Sequence, residues 1–141
     1  MSLTLSAALR SSMADRVTAL LDAGAAAAYI EIRSGSRPAG PGTAASGTLL
    51  ATFDLNDPSF GAASSGVITL DVTPALTTTG LAAATATWCR FYDSNDVAVV
   101  DGKVGASGSG ADIELNTTTI SVGVNLEITS GTITMPAGTA D

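Results

Sequence analysis

Few residues in this sequence can do acid–base or nucleophilic chemistry, and none is spaced as part of a catalytic group. The chain of 141 residues contains no histidine, which is the usual general base near neutral pH and the commonest zinc ligand. Ser-His-Asp and Cys-His arrangements are therefore excluded. The single cysteine, Cys89, lies in a predicted strand beside Arg90. We expect it to be a small buried hydrophobic residue rather than a nucleophile.

Two carboxylates, Asp112 and Glu114, stand two residues apart in another predicted strand. Alternate strand positions share a face, and a carboxyl pair can supply a general acid and a general base without histidine. The sequence places no aromatic cluster beside this pair to form a sugar cleft. We therefore interpret the pair as part of a solvated face, and we predict that the protein is not an enzyme and uses no cofactor.

Two further segments resemble ligand-binding loops but lack a required part. A helical calcium loop beginning at Asp93 needs glycine at its sixth position and glutamate at its twelfth, where the chain has Ala98 and Val104. We expect Asp93–Asp96 to form a turn, because Asp and Asn side chains bond back to their own backbone. An irregular cation site is the alternative. The glycines of Gly105–Gly110 need a following helix to bind phosphate, and a strand is predicted there instead.

The charge balance excludes two classes of partner. Six basic residues stand against thirteen acidic ones, which gives a net charge of -7. A nucleic-acid-binding protein needs a cationic stripe to displace counterions, and an anionic membrane also requires one, so we predict neither partner. The first residues lack the pattern of a secretory signal peptide, and the lone cysteine rules out an internal disulfide. We expect synthesis and folding in a reducing cytoplasm.

The N-terminal part of the chain has a helical hydrophobic pattern. The spacing predicts an amphipathic helix over residues 5–23, with Ser2 or Thr4 as its cap and Gly24 as its natural end. Two interpretations stay open: the helix covers one end or face of a sheet, or it is an arm that packs on a neighbouring subunit. The apolar residues that recur at steps of three and four are Leu5, Leu9, Met13, Val17, Leu20 and Leu21.

The rest of the chain alternates apolar and polar residues, as half-buried strands do. The clearest run lies in Asp112–Met135, where every second residue from Ile120 to Ile128 is apolar. This run supplies one or two strands, with breaks expected at Gly123 and at Ser130-Gly131. Asp93–Asp96 joins two of the strands into the clearest hairpin. The predicted strands cover residues 26–33, 48–55, 67–72, 84–92, 97–104 and 112–116.

These elements predict a mainly β protein. The expected fold is a single β-sandwich, jelly-roll or immunoglobulin-like, of about seven or eight strands with one N-terminal amphipathic α-helix. We divide the chain into a helical arm over residues 1–25 and a β-sandwich domain over residues 26–141. The proline-rich loop over residues 34–47 is expected to be exposed, either as a contact surface or as a disordered link.

Several segments together resemble small structural proteins of tailed-bacteriophage virions. They are residues 30–35 with the proline-rich loop, 47–55, 115–135, and 86–93 leading into 100–102. The resemblance implies a virion component, best matched by a capsid decoration (cement) protein that binds the major capsid protein in many copies. It also implies a homo-oligomer, with a trimer favoured, on the capsid exterior. The family carries no catalytic motif, so the resemblance transfers no site residue.

Two other virion roles are kept as alternatives. One is a tail-tip or fibre module that recognises a glycan or receptor on the host surface, and the other is a head-to-tail or tail completion protein. In the cement interpretation, the helix and the proline-rich loop contact the joints between capsomers. The residues predicted to form this interface are Leu5, Leu9, Met13, Arg37, Pro38 and Pro41.

Overall fold

The computed structural model describes residues 3–138 and shows a mainly β, sandwich-like fold with one N-terminal helix, as predicted. Eight of the ten described strands form one curled sheet, and β5 and β9 form a small second sheet. The elements are α1 (Ala7–Leu21), β1 (Tyr29–Arg33), β2 (Leu49–Asp54), β3 (Val67–Thr69), β4 (Thr77–Thr79), β5 (Ala84–Thr85), β6 (Trp88–Tyr92), β7 (Ala98–Ala106), β8 (Ile113–Leu115), β9 (Thr119–Ile120) and β10 (Asn125–Thr134).

The large sheet runs in the order β2-β1-β6-β7-β8-β10-β3, and β4 also pairs with β10. Every pairing is antiparallel except that of β7 with β8. The sheet curls until its two ends approach each other. This is shown by the Leu81 N–H, just after β4, which donates a hydrogen bond to the Leu50 carbonyl of β2 (2.8 Å). Apolar side chains on the inner face of this curl form one continuous core, which burial from water stabilises.

Helix α1 begins and ends inside its predicted bounds. Ser6, rather than Ser2 or Thr4, caps it, since the Ser6 hydroxyl accepts a hydrogen bond from the Leu9 amide (3.1 Å). The helix ends at Leu21, three residues before Gly24. Ala14 and Leu21 are fully buried in the core. The helix therefore covers part of its own sheet, which is the first of the two interpretations.

The predicted apolar face of α1 is only partly correct, because Leu9, Met13 and Leu20 are exposed. The cause is a set of hydrogen bonds that polar side chains of the helix region accept from backbone amides. Asp22 accepts from the Ser59 amide, Asp15 from the Ala63 amide and Ser11 from the Gly66 amide, at 2.8–3.0 Å. These bonds fix the rotation of the helix about its axis. Ala14 and Leu21 consequently point inward and Val17 packs beside the core, whereas Leu9, Met13 and Leu20 form a stripe on the outside.

Strand bounds in the middle of the chain differ from the prediction. The predicted strand over residues 84–92 is two strands in different sheets, since Ala84–Thr85 pairs with β9 whereas Trp88–Tyr92 pairs with β1 and β7. Thr77–Thr79, which lies outside every predicted strand, pairs with β10. In β2, Ala51 and Phe53 are buried, but the alternation changes before them, since Leu50 is buried and Leu49 is half-buried. A register shift between β1 and β2 at this point accounts for the change.

The long apolar alternation also breaks where glycine allows it. Gly123 has φ +81°, a conformation that costs glycine little, and Val122 beside it is 75% exposed rather than on the core face. The second expected break is wrong, because β10 runs through Ser130-Gly131 with only a shift in its register against β8. The hairpin of β6 and β7 around Asp93–Asp96 is confirmed.

Candidate interface

The proline-rich loop is an ordered loop whose two ends meet. The Ser34 amide donates to the Thr48 carbonyl (3.1 Å), and the Thr48 amide donates to the Ser34 hydroxyl (3.1 Å). Across the loop, the Ser46 hydroxyl donates to the Ser36 carbonyl (2.8 Å). A compact loop closed in this way has the character of an Ω-loop, a class that is frequently functional.

A buried ion pair on the outer face of the sheet holds the middle of this loop. Arg90 of β6 and Asp101 of β7 face each other across the hairpin and make two hydrogen bonds, at 2.7 and 3.0 Å. Their side chains are 3% and 6% exposed. The Arg90 guanidinium also donates to the Gly40 carbonyl at the loop's middle (3.1 Å). The hydrogen bond to Asp101, more than any other contact, raises the pKa of Arg90.

Two neighbouring side chains hold the first part of the loop. The indole N–H of Trp88 donates to the Ser34 carbonyl (3.2 Å), and the Thr87 hydroxyl donates to the Gly35 carbonyl (2.6 Å). Trp88 is 1% exposed, and the Arg90 guanidinium lies 5.3 Å from its ring centroid. Side chains of β6 and of the residue before it therefore fix a loop that sequence alone leaves undetermined.

Three of the six predicted interface residues lie together in this loop. Arg37 is exposed, while Pro38 and Pro41 are half-buried against β7. They line a groove of about 340 Å³ whose other wall is Val99–Asp101. Within residues 3–138, the ion pairs belong to Arg33 and Arg90. Arg37 is thus an exposed cation on an anchored loop, outside the ion pairs of the described residues.

The other three predicted residues lie on or next to α1. Leu5 is half-buried, and its amide donates to the Ala137 carbonyl (2.8 Å), so it belongs to the chain's own packing. Leu9 and Met13 are 48% and 38% exposed and share the outer stripe with Leu20, at 41%. The loop groove contains none of these residues. The structure therefore gives two candidate contact surfaces, the loop groove and the helix stripe.

A stacked tyrosine pair stands at the hairpin end of the same outer face. The rings of Tyr29 and Tyr92 lie 4.9 Å apart between centroids and 11° from parallel. The Tyr29 hydroxyl donates to the Asp96 carboxylate (2.7 Å). Burial, followed by this bond, raises the pKa of Tyr29. The pair ties β1 to the turn of the β6–β7 hairpin, which stabilises the support beneath the loop.

A second, polar groove lies on the opposite end of the sheet order, where β4 meets β10. It has a volume of about 430 Å³. Thr77, Thr79, Asn125 and Glu127 are exposed around it. The Asn116 side chain is already hydrogen-bonded to the backbone, since its oxygen accepts from the Glu127 amide (3.0 Å). Hydroxyl, amide and carboxylate groups are the kinds of side chain that hydrogen-bond polar ligands such as sugars.

The remaining sequence candidates for chemistry have structural partners. Asp112 accepts from the Lys103 amide (2.8 Å), and Glu114 accepts from the Gly110 amide (2.7 Å). Asp93 accepts from two amides of its own turn. Cys89 is fully buried, as predicted, and burial is the main reason that the pKa of its thiol is raised. Each of these groups therefore has a structural role, either in a hydrogen bond to the backbone or in the buried core.

Over residues 3–138, no group of three or more His, Cys, Asp or Glu side chains is arranged to hold a metal ion. In the same part of the chain, no helix combines the length and the apolar character needed to cross a membrane.

A scan against protein-family models, a search of curated proteins and a search of solved structures each find no match for this chain. The resemblance to phage virion proteins therefore stays a prediction.

The main feature that the sequence interpretation missed is the set of groups that anchor the loop. Arg90 follows Trp88 and Cys89 in a strand with apolar residues on both faces, and Trp88 through Phe91 are all buried. Such a two-sided pattern indicates that something covers each face of the strand. Asp101 then lies opposite Arg90 as the only acidic residue within β7. The two-sided pattern can be read from the sequence, whereas the position of Asp101 opposite Arg90 depends on the register that the structure shows.

Proposed function

We propose that the protein is a structural component of a tailed-bacteriophage virion, most specifically a capsid decoration protein that binds the mature head in many copies. The proposal begins from the resemblance of several segments to such proteins. The observation that supports it best is the anchored loop, in which a buried ion pair and a tryptophan hold Arg37 and two prolines in one conformation. A rigid loop loses little entropy on binding, so its contacts contribute more fully to affinity.

The physical role of such a protein is to stabilise a lattice by mass action. A ligand that binds only the assembled, expanded shell shifts the equilibrium toward that shell. In our proposal, the loop groove and the stripe of Leu9, Met13 and Leu20 contact the major capsid protein at the joints between capsomers. A trimer suits joints of threefold symmetry. The protein is then located on the capsid exterior, after synthesis in the host cytoplasm.

Copy number in purified particles tests the proposal. Heads and tails of the encoding phage are separated, and the protein is quantified in each fraction by mass spectrometry. A decoration protein is expected in the head fraction in hundreds of copies per particle, matching the repeated positions of a symmetric shell. A few copies, found only with tails, would contradict the decoration role.

The groove between β4 and β10 favours a second candidate, a tail-tip or fibre module that recognises a host-surface glycan. Its exposed hydroxyl and amide groups suit hydrogen bonding to a sugar. Glycan-array binding by the isolated protein, lost in Asn125→Ala, supports this candidate. The proposed decoration role predicts no glycan binding above background.

A further inference from the structure

The large sheet contains a gap at the position of one strand. Strand β8 lies between β7 and β10, but it pairs only with Val104–Ala106 on one side and Ile128–Gly131 on the other. The chain enters β8 through Asp112. On the N-terminal side of Asp112, no described strand lies between Ala98–Gly102 of β7 and Ile133–Met135 at the end of β10. A cleft of about 270 Å³ lies between these two segments. We call it the strand slot.

The strand slot lies at the position that one more length of extended chain would occupy. Neighbouring strands lie about 4.8 Å apart, so two strands that flank a third are separated by about 9.6 Å. The strand slot continues the line of β8, and its walls are the same two strands. An inserted peptide would therefore lie where a longer β8 would lie.

Backbone groups from both walls point into the strand slot. The Lys103 amide donates to the Asp112 carboxylate on the β8 side of β7 (2.8 Å), and strand backbones alternate, so the peptide groups of Asp101 point the same way. On the other wall, the Thr132 amide donates to the Asp112 carbonyl (2.8 Å), and Thr134 follows two residues later. Asp101 and Thr134 thus present unused strand-pairing groups to each other across the strand slot.

The side chains around the strand slot define what its occupant must carry. Apolar groups line its inner part, including those of Val100, Ile133 and Met135. Both carboxylates at its edge are engaged, Asp101 by Arg90 and Asp112 by the Lys103 amide. An occupant therefore needs apolar side chains facing the core and does not need a cation.

Arg37 supplies the charge that selects among such segments. Its groove shares Val100 and Asp101 with the strand slot, so the two sites adjoin along β7. Asp101 is already paired with Arg90, and within residues 3–138 Arg37 has no ion-pair partner. A carboxylate on the occupant complements this cation, and charge complementarity of this kind favours one class of partner over others.

We propose that the strand slot binds an extended, acidic segment of another protein by strand addition. Main-chain hydrogen bonds to β7 and β10 supply affinity, apolar side chains fill the inner part, and a carboxylate pairs with Arg37. This inference concerns peptide binding by the isolated chain. It does not depend on whether the protein sits on a phage head.

The test uses the isotope-labelled full chain and a synthetic peptide of about nine residues that alternates threonine and valine around one central glutamate. Amide hydrogen exchange is measured by NMR with and without about 1 mM peptide. We expect the Asp101 and Thr134 amides to exchange at least about tenfold more slowly when the peptide is bound. A peptide with lysine in place of glutamate should bind about tenfold more weakly.

A charge-swap variant separates this site from non-specific binding. Arg37→Glu, on the exposed loop, should reverse the preference so that the lysine peptide binds more tightly. Arg16→Glu is the matched control, because Arg16 is an exposed cation on α1 that lines neither the loop groove nor the strand slot; it should leave the preference for glutamate unchanged.

Three results would overturn the proposal. The first is no slowing of exchange at Asp101 and Thr134 with either peptide. The second is a peptide preference that Arg37→Glu leaves unchanged. The third is slowing of these two amides without peptide that grows with protein concentration, since a second copy of this chain would then be the occupant.

Discussion

At the scale of single residues, the Arg90–Asp101 pair carries more of the account than any other group. It is buried, it joins two strands, and it fixes the Gly40 carbonyl of the loop. A buried ion pair is not automatically stabilising, because both charges lose water when they are buried. Removing one partner, however, leaves the other charge buried and unpaired. The pair therefore makes the loop conformation and the hairpin depend on each other.

Asp101→Asn should destabilise the protein by about 3–5 kcal/mol, because it leaves the Arg90 guanidinium without its counter-charge. Urea denaturation monitored by Trp88 fluorescence measures the change. Glu31→Gln is the matched control: it breaks the Arg33–Glu31 pair, whose side chains are 16% and 17% exposed, and more exposed pairs contribute at most about 1 kcal/mol. Equal losses in the two variants would contradict the role assigned to Asp101.

The raised pKa of Tyr29 predicts a loss of stability in alkali. The unfolded tyrosine ionises near pH ~10, whereas burial and the bond to Asp96 keep the folded one protonated to higher pH. The stabilising effect is therefore complete below about pH 10 and declines above it, as the unfolded state releases its proton first. Denaturation across about pH 9 to 11 should show a falling free energy of unfolding.

Tyr29→Phe should make this alkaline decline shallower. Part of the decline should remain, because the pKa values of Tyr92 and Cys89 are also raised, each mainly by burial. An unchanged slope in the variant would show that Tyr29 does not contribute.

The Cys89 thiol should be inert in the folded protein. A thiolate is the reactive form, and burial both raises the thiol pKa and blocks the reagent. We expect a thiol-reactive dye to label native protein at least about a hundredfold more slowly than urea-unfolded protein. Fast labelling under native conditions would mean that β6 opens readily.

Residue-level prediction from the sequence succeeded where burial follows from type alone. Cys89 was expected to be buried and is. The pairing of Arg90 with Asp101 could not be predicted from the hairpin turn alone, because a register shift between Phe91 and Tyr92 moves Asp101 into position opposite Arg90. A one-residue bulge of this kind leaves little signal in the sequence.

At the scale of elements, α1 has one apolar face that is buried in the core and another that is exposed to solvent. Leu21 belongs to the core, whereas its neighbour Leu20 lies on the exposed stripe. Both residues are leucines near the C-terminal end of the helix. The hydrogen bonds that Asp15 and Asp22 accept from the segment after β2 decide which of the two is buried. The amphipathic pattern predicted the helix but could not predict this rotation.

Leu21→Ala should cost about 2–5 kcal/mol, because it leaves a cavity in the core. Leu20→Ala, the matched exposed substitution, should change the free energy of unfolding by no more than about 0.5 kcal/mol. Chemical denaturation of both variants measures the difference. Similar values for the two would show that the helix is rotated differently from the structure.

Strand prediction succeeded where the pattern is local and failed where pairing is distant. In β1, Ile30 and Ile32 are buried as their alternation predicts. Thr77–Thr79 has no apolar alternation and is a strand only because β10 pairs with it. The parallel pairing of β7 with β8 has no such local signal either, since so short a link usually joins antiparallel strands. Glu114 stabilises that link by accepting from the Gly108 and Gly110 amides.

At the scale of the whole molecule, the candidate contact surfaces surround one continuous core. The fold class, mainly β with one N-terminal helix, followed from composition and periodicity. The order of the strands did not, because it depends on contacts between distant parts of the chain. Of the predicted interface residues, Arg37, Leu9 and Met13 are exposed, while Leu5 belongs to the chain's own packing. Their role in an interface stays a prediction.

The proposed function makes the loop groove and the helix stripe the parts that hold the protein to a phage head. The most direct measurement uses heads that lack this protein, to which purified wild-type protein or an Arg37→Glu, Leu9→Ser, Met13→Ser variant is added. We expect the wild type to bind and to raise the temperature at which heads release their DNA, because binding only the intact shell stabilises it. The variant, if equally well folded by denaturation, should bind at least about tenfold more weakly. Wild-type protein that fails to bind, or a variant that protects heads equally well, would contradict the account.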